Sequence, residues 1–184
     1  MKATGVVRRI DDLGRIVIPK EIRKTLRIKE GTPLEIFTEK EGNIVLKKYS
    51  PIGELSSFST EYADCISVVT NYITVITDKD CVIAVSGTHK KNLLEEPISE
   101  DIEQIIDKRE TFVSTEKNDI SITRKTYPDV SKNLAGSKIV VPIISESEVI
   151  GAIILIKKGS FDVQNSETEI AKVAAMFLGS HLEI

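Results

Sequence analysis

The sequence predicts an α+β protein built from two unequal domains, a small one at residues 1–52 and a larger one at 53–184. β-Branched runs alternate with segments of helical period in both parts of the chain. Ser50-Pro51 ends the first pattern, and a long amphipathic stripe follows it. Charge also divides there, because residues 1–50 carry a net charge of +5 and the remainder a net charge of −8. A small basic domain joined to an acidic one favours a polyanionic partner for the first.

The first domain is predicted to have the order β-β-α-β-β. The pattern places strands at 6–10 and 15–18, a helix at 20–27, and strands at 33–38 and 43–48. Asp11-Asp12-Leu13-Gly14 has the residues of a tight turn between the first two strands. Pro19 suits the first position of the helix, where its missing N–H costs nothing, and Gly31 is predicted to end that element.

This domain is too small to be stable alone. Its strands carry apolar residues on both faces, since Val6 and Ile10 point one way and Val7 the other. A unit of about 50 residues buries a small share of its surface, and no cysteine or metal staple is present to compensate. We therefore predict an obligate, interleaved homodimer; the alternative is packing against the second domain of the same chain.

The second domain is predicted to be a mixed antiparallel sheet with helices at both ends. The pattern places a helical stripe at 52–69, strands at 73–78 and 81–86, a helical region at 93–109 interrupted at 97–99, a strand at 120–124, a loop at 125–136, strands at 138–144 and 149–156, and a helix at 165–182. Ser99 is a predicted N-cap. The apolar stripes on 52–69 and 170–182 can pair helices between subunits.

Several classes of protein are excluded by what the sequence lacks. No apolar run approaches the ~18 residues of a membrane helix, and the start has no secretory leader, so a cytoplasmic protein without membrane contact is predicted. Cys65 and Cys81 have no metal-ligand spacing, and His89 and His181 are too few for a metal cluster. Nucleotide-binding and zinc-protease motifs are absent. We therefore expect no catalysis, no metal and no cofactor.

Cations are concentrated along the predicted elements of the first domain. They comprise Arg8, Arg9 and Arg15 on the first hairpin and Lys20, Arg23, Lys24 and Arg27 on the helix. A homodimer doubles these charges about a twofold axis, and such a surface would neutralise several phosphates. The alternative is a solvated face on which the arginines pair with Asp11, Asp12, Glu21 and Glu30.

The segment KATGVVRRIDDLGRIVIPKEIRKTL, residues 2–26, resembles the DNA-binding domain of the AbrB family of transition-state regulators. The resemblance covers about residues 1–52 and implies a swapped-hairpin β-barrel dimer. It implies that Arg8, Arg15, Arg23 and Lys24 face double-stranded DNA. Lys24 stands where the family often carries arginine, so this position keeps its charge without the bidentate fork of a guanidinium.

The resemblance extends into the second domain. An AbrB-like module followed by a helix and a compact α/β domain is similar to sporulation regulators of endospore-forming bacteria, as are the segments at 47–52, 61–64 and 83–87. It implies a GAF-like sensor and oligomerisation domain from residue 53, a homotetramer paired through helices of that domain, and regulation of sporulation genes. GAF domains commonly bind small molecules, and the run at 86–91 is either a site for an anionic or polar ligand or an ordinary polar loop.

Two other functions stay open at this point. AbrB-like folds also serve antitoxins, which bind a toxin through a flexible acidic tail, whereas this chain continues into a domain with a substantial apolar core. Some GAF-fold reductases use cysteine pairs, which would give roles to Cys65 and Cys81, although cysteine is often simply buried.

Overall fold

The computed structural model describes residues 4–40, 42–125, 134–160 and 162–182. The chain forms two compact units, Met1–Tyr49 and Ser50–Ile184. The predicted α+β class is confirmed, because helices and antiparallel sheets occur in both units.

The first unit contains one helix and one two-stranded sheet. Its elements are α1 (Lys20–Leu26), β1 (Leu34–Thr38) and β2 (Ile44–Lys48). The two strands form an antiparallel hairpin in which Leu34 pairs with Lys48 and Thr38 with Ile44. The prediction that Gly31 ends the helix was wrong. The helix ends at Leu26 and is capped by Arg27, whose left-handed backbone (φ 55°) turns its N–H back onto the carbonyls of the last helical turn.

The strands predicted at 6–10 and 15–18 were wrong for the single chain. These residues carry no strand hydrogen bonds, and a turn over Asp11–Arg15 is what joins them. A strand needs a neighbour to accept and donate its backbone hydrogen bonds, and this chain alone supplies none here. Their apolar side chains lie in solvent, with Val7 86% exposed and Val17 71% exposed. Among the described residues of this unit, none is buried.

The second unit is a five-stranded antiparallel sheet with helices on both faces. Its elements are α2 (Pro51–Glu54), α3 (Ser56–Thr70), β3 (Ile73–Asp78), β4 (Val82–Ser86), α4 (Lys90–Leu93), α5 (Glu100–Lys108), β5 (Phe112–Val113), β6 (Gly136–Ser145), β7 (Glu148–Lys158) and α6 (Asn165–His181). The strand order is β4-β3-β7-β6-β5. Near the middle of the sheet, β3 from the start of the unit pairs antiparallel with β7 from near its end.

The sheet is buried on both faces because its strands are almost wholly apolar. Side chains alternate between two cores: Ile139 and Val141 of β6 pack on one face, and Val140 between them packs on the other. The first core is closed by α2, α3 and α6, and the second by α4 and α5. This three-layer arrangement explains why the strands appear in the sequence as continuous apolar runs.

Several details of the second unit differ from the expectation. The stripe at 52–69 is divided at Leu55 into α2 and α3, and the Ser50 hydroxyl caps α2 by accepting from the Gly53 N–H. The strand predicted at 120–124 was wrong, because Thr123 makes one isolated bridge to Ile98 and no ladder. The two-residue strand β5 was not predicted. Most of the predicted loop at 125–136 lies outside the described residues, and Gly136 already belongs to β6.

The predicted N-cap of α5 is confirmed, with the Ser99 hydroxyl accepting from the Ile102 N–H at 3.2 Å. α6 lies very close to the sheet at its C-terminal end, where a Cβ on Gly179 would lie 2.0 Å from the Ile144 carbonyl oxygen. Among the described residues, no helix combines the length and apolarity that crossing a membrane requires.

Candidate functional site

The turn that carries Arg15 is organised by one carboxylate. Oδ1 of Asp11 accepts from the N–H groups of Leu13 (3.1 Å) and Arg15 (2.7 Å), and Oδ2 accepts from Nε of Arg15 at 2.8 Å. The Asp11 N–H in turn donates to the Arg15 carbonyl at 3.0 Å. The backbone N–H and the guanidinium of Arg15 hold the pKa of Asp11 below its ordinary value, since both favour the charged carboxylate.

The cations of the first segment are open to solvent. The side chain of Arg15 is 69% exposed even with Asp11 beside it. Arg8 and Arg9 are exposed as well, and within the described part of the chain neither forms an ion pair. These guanidinium groups keep most of their donors available to a ligand.

α1 presents the remaining predicted cations. Arg23 and Lys24 lie in its last turn, where the negative end of the helix dipole favours positive charge. Both are exposed, and neither is paired with a described carboxylate. Lys20 lies one turn earlier along the same helix and is also exposed.

The four predicted site residues are thus exposed, and Arg23 and Lys24 are adjacent on α1. Arg15 and Asp11 form the one ion pair that the structure describes among these cations and the acids considered as their partners. Among the four predicted site residues, the solvated-face alternative therefore describes Arg15 in the part of the chain that the structure covers. The sequence analysis treated Asp11 as a turn residue and, separately, as a candidate partner of the arginines. It did not predict that one carboxylate would hold both the turn and the Arg15 side chain.

A second surface lies between α3 and α6. It is an apolar groove of ≈ 370 Å³, lined by Tyr62, Cys65, Ile66, Val69, Glu169, Ile170, Val173 and Ala174. Large apolar side chains beside it face solvent, with Val69 76% exposed and Met176 71% exposed. Contiguous apolar surface of this kind is typical of a protein interface.

Four rings extend the groove at one end. Phe58 and Tyr62 of α3 stack with Phe177 and His181 of α6, with centroid separations of 5.0 Å for Phe58–His181 and 5.2 Å for Tyr62–Phe177. The Tyr62 hydroxyl also donates to the Ala174 carbonyl at 3.4 Å. The sequence analysis missed this cluster, although each helix carries its two rings four residues apart and therefore on one face.

The run at 86–91 begins at the buried Ser86, the last residue of β4, and continues as a largely exposed connection. It leaves β4 through Gly87, whose φ of +94° and contact with Ile73 suit glycine, and enters α4 through His89. Lys90 and Lys91 are exposed. The described residues hold no group of His, Cys, Asp and Glu side chains that could bind a metal ion.

The two cysteines occupy different surroundings. Cys65 is exposed at the groove, whereas Cys81 is half-buried with its thiol 3.8 Å from a carboxylate oxygen of Asp78. Burial, followed by the charge of Asp78, raises the pKa of Cys81 to about 12. A thiol with that pKa is almost wholly protonated at neutral pH, which is the opposite of what a nucleophile needs.

Two family models match the chain. Residues 54–183 match the family described as "Stage V sporulation protein T C-terminal, transcription factor". Residues 7–54 match the family described as "Antidote-toxin recognition MazE, bacterial antitoxin". The two matches together span most of the chain and divide it near the junction of the two units.

Curated relatives share both the whole chain and its first part. Stage V sporulation protein T of Bacillus subtilis (strain 168) is 43% identical over 183 residues, covering 100% of this chain and 99% of the relative. The transition state regulatory protein AbrB of the same organism is 57% identical over 51 residues, covering 28% of this chain and 52% of the relative.

Solved structures resemble the second unit in fold. A type II free methionine-R-sulfoxide reductase from Thermoplasma acidophilum matches with a TM-score of 0.56 at 12% identity, covering 71% of this chain and 94% of the other. The GAF domain of an Acinetobacter phosphoenolpyruvate-protein phosphotransferase matches with a TM-score of 0.55 at 10% identity, covering 74% and 84%. At these identities the likeness concerns the fold, which is that of a GAF domain.

Proposed function

The chain belongs to the stage V sporulation protein T family, and on that premise we propose that it is a sequence-selective DNA-binding regulator of transcription that acts on sporulation genes as a homo-oligomer. In this proposal residues 1–52 bind DNA, and residues 53–184 form a GAF-like sensor and oligomerisation domain. The observation that carries it is the 57% identity of the first segment to a transition state regulatory protein. A regulator of transcription works beside DNA, so the proposed location is the cytoplasm.

The DNA contacts are proposed for Arg8, Arg15, Arg23 and Lys24. All four are exposed, and three of them lack an ion pair with any described carboxylate. Binding a phosphate would therefore break few existing interactions at these positions. Cations on an exposed turn and a short helix suit recognition through charge, DNA shape and deformability more than a base-by-base code.

A dimer of the first unit is proposed from its exposed apolar side chains. Val7, Ile10, Val17 and Ile36 are each more than 60% exposed, which is a costly arrangement for an isolated unit. Pairing two chains through 6–10 and 15–18 would bury these side chains and supply the missing strand hydrogen bonds together. The same pairing would place two copies of each cation about one axis.

A tetramer is proposed through the groove between α3 and α6. Val69, Val173 and Met176 form an exposed apolar stripe on two neighbouring helices, continuous with the four stacked rings. A second copy of this face would cover the stripe with a like surface, as a twofold interface requires. A small-molecule effector bound by the second unit would act by changing this assembly. We assign the loop at 86–91 no part in binding such a molecule.

Neither alternative function is favoured. A reductase needs a reactive thiolate, and the raised pKa of Cys81 removes one member of the cysteine pair. The reductase neighbour shares the fold at 12% identity, and the family matched over residues 54–183 is described as a transcription factor. The antitoxin alternative calls for a flexible acidic tail, whereas this chain continues into a unit with two packed cores.

A salt titration of DNA binding tests the proposal. The full chain is titrated against promoter-derived and random-sequence duplexes by fluorescence anisotropy, alongside Arg15→Ala/Arg23→Ala and a control variant, Lys90→Ala/Lys91→Ala. Log affinity should fall with log salt by ~0.9 per phosphate contacted, and the first variant should lose affinity and flatten that slope.

The control removes the same two charges from exposed positions of the second unit and should bind as the parent does. Unchanged affinity and slope in Arg15→Ala/Arg23→Ala would refute the assigned contacts. Absence of binding by the well-folded parent at low salt would refute the regulator itself.

A further inference from the structure

We propose that Asp11 is a positioning residue for DNA binding: its carboxylate holds the guanidinium of Arg15 by Nε and so presents the remaining N–H donors to the nucleic acid. The inference rests on the proposed function, which assigns Arg15 to DNA but gives Asp11 no part. Asp11 is an acid among exposed cations, and charge alone predicts that its removal would improve DNA binding.

The geometry shows that Asp11 controls both the backbone and the side chain of Arg15. One oxygen accepts the Arg15 N–H at 2.7 Å, and the other accepts Nε at 2.8 Å. The Asp11 carbonyl accepts from the Gly14 N–H at 3.0 Å, which closes the turn. The backbone contact fixes where the Arg15 side chain leaves the turn, and the Nε contact restricts the rotamers that a free arginine would explore.

Ordering this side chain before binding improves affinity because the rotamer entropy is already lost. Nε uses one of the five guanidinium N–H donors, so four remain for phosphate or base acceptors. The Arg15 side chain is still 69% exposed in this arrangement. The Arg15 donors keep the pKa of Asp11 below its ordinary value, which favours the charged carboxylate that the contact with Nε requires.

Positioning and charge predict opposite results when Asp11 is neutralised. In Asp11→Asn the amide oxygen can still accept the two backbone N–H groups, but its NH₂ group would face the Nε donor of Arg15. If Asp11 only reduces the positive charge of the surface, removing that charge should tighten DNA binding. If Asp11 positions Arg15, the same substitution should weaken it.

Asp12→Asn is the matched control. Asp12 is the next residue in the same turn, is exposed, and makes no side-chain hydrogen bond or ion pair with the described residues. Its substitution changes the charge by the same amount at almost the same place. Any difference between the two variants therefore reports the contact with Arg15 rather than the field of one carboxylate.

The experiment measures duplex affinity of the full chain by fluorescence anisotropy for five proteins: the parent, Asp11→Asn, Asp12→Asn, Arg15→Ala and Asp11→Asn/Arg15→Ala. We expect Asp12→Asn to bind equally or more tightly. We expect Asp11→Asn to bind DNA about 2- to 10-fold more weakly for each Arg15 that contacts the duplex. This factor is the entropic cost of immobilising one long side chain on binding. The double variant should match Arg15→Ala, because without Arg15 there is nothing to position.

The inference fails if Asp11→Asn binds DNA as tightly as Asp12→Asn. It also fails if Asp11→Asn weakens binding equally in the Arg15→Ala background, which would indicate a general defect of the turn. If Arg15→Ala weakens binding while Asp11→Asn does not, positioning fails and the proposed function stands. If Arg15→Ala leaves affinity and salt slope unchanged, both the inference and the assignment of Arg15 to DNA fail.

Discussion

Replacing Gly179 by alanine should destabilise the second unit, although alanine is the better helix former. A Cβ at this position would lie 2.0 Å from the Ile144 carbonyl oxygen, whereas real contacts are almost never below 3.0 Å. α6 would therefore have to move away from β6 by about 1 Å, and overpacking of this kind costs about 1–3 kcal/mol. The intrinsic preference of a helix for alanine returns only about 0.8–1.0 kcal/mol.

The clash should prevail, because a Cβ is fixed to the backbone of α6 and the carbonyl oxygen is fixed to the backbone of β6, so neither atom can rotate aside. The difference, a net loss of about 1 kcal/mol, would lower the melting temperature by about 2–4 °C in a unit of this size. Ser180→Ala is the control, since Ser180 is the adjacent, exposed residue of α6 and gains helix propensity without a clash. Both variants would be followed by thermal unfolding at equal protein concentration. A Gly179→Ala protein as stable as Ser180→Ala would refute the close approach of α6 to β6.

Three further predictions concern the groove, the thiols and the start of α6. Val173→Glu/Met176→Glu places charge on the exposed stripe, so light scattering should show dimers in place of the tetramers proposed for the parent; tetramers in both proteins would remove α6 from the interface. Iodoacetamide at pH 8 should label Cys65 faster in that variant than in the parent. It should label Cys81 slowly in both proteins, because burial raises the pKa of Cys81 to about 12 and the thiolate is the reactive form. Equal labelling of the two thiols would contradict this prediction. Glu167→Gln should lower stability most at neutral pH. Burial raises the pKa of Glu167, but its hydrogen bonds outweigh burial and hold the pKa below its ordinary value. The contribution of Glu167 to stability is therefore complete above the unfolded-state pKa and is lost as the pH falls through the folded-state pKa. A loss of stability that does not depend on pH in urea titrations would contradict this prediction.

Elements buried within one chain were predictable from the sequence, and elements that depend on a partner were not. The strands Ile73–Asp78 and Glu148–Lys158 are apolar runs of strand length, and the structure places them at the centre of the sheet. The runs at 6–10 and 15–18 show the same β-branched pattern, yet a pattern gives no hydrogen-bond partner and the single chain forms no strand there. Phe112–Val113 is too short to produce a period at all.

The candidate site also combines features that the sequence predicts with features that it does not. Composition and charge indicated seven candidate cations, because long cations on a small domain are exposed almost wherever the chain runs. The resemblance to the AbrB family narrowed them to Arg8, Arg15, Arg23 and Lys24. The contact between Asp11 and Arg15 depends on the path of the turn, which Gly14 sets with a φ of +74°. That path is a property of backbone geometry that no spacing of charged residues encodes.

The distance along the chain between the two walls of the groove has a consequence for biosynthesis. Tyr62 and Ala174, joined by a hydrogen bond across α3 and α6, are 112 positions apart. A nascent chain therefore exposes the apolar segments of Met1–Tyr49 long before α6 has been translated. In the proposed assembly, pairing of the first units can begin during translation, whereas pairing through the groove must wait until α6 has been translated. Translation itself would thus separate the two association steps in time, and a chain truncated before Asn165 could enter the first assembly but not the second.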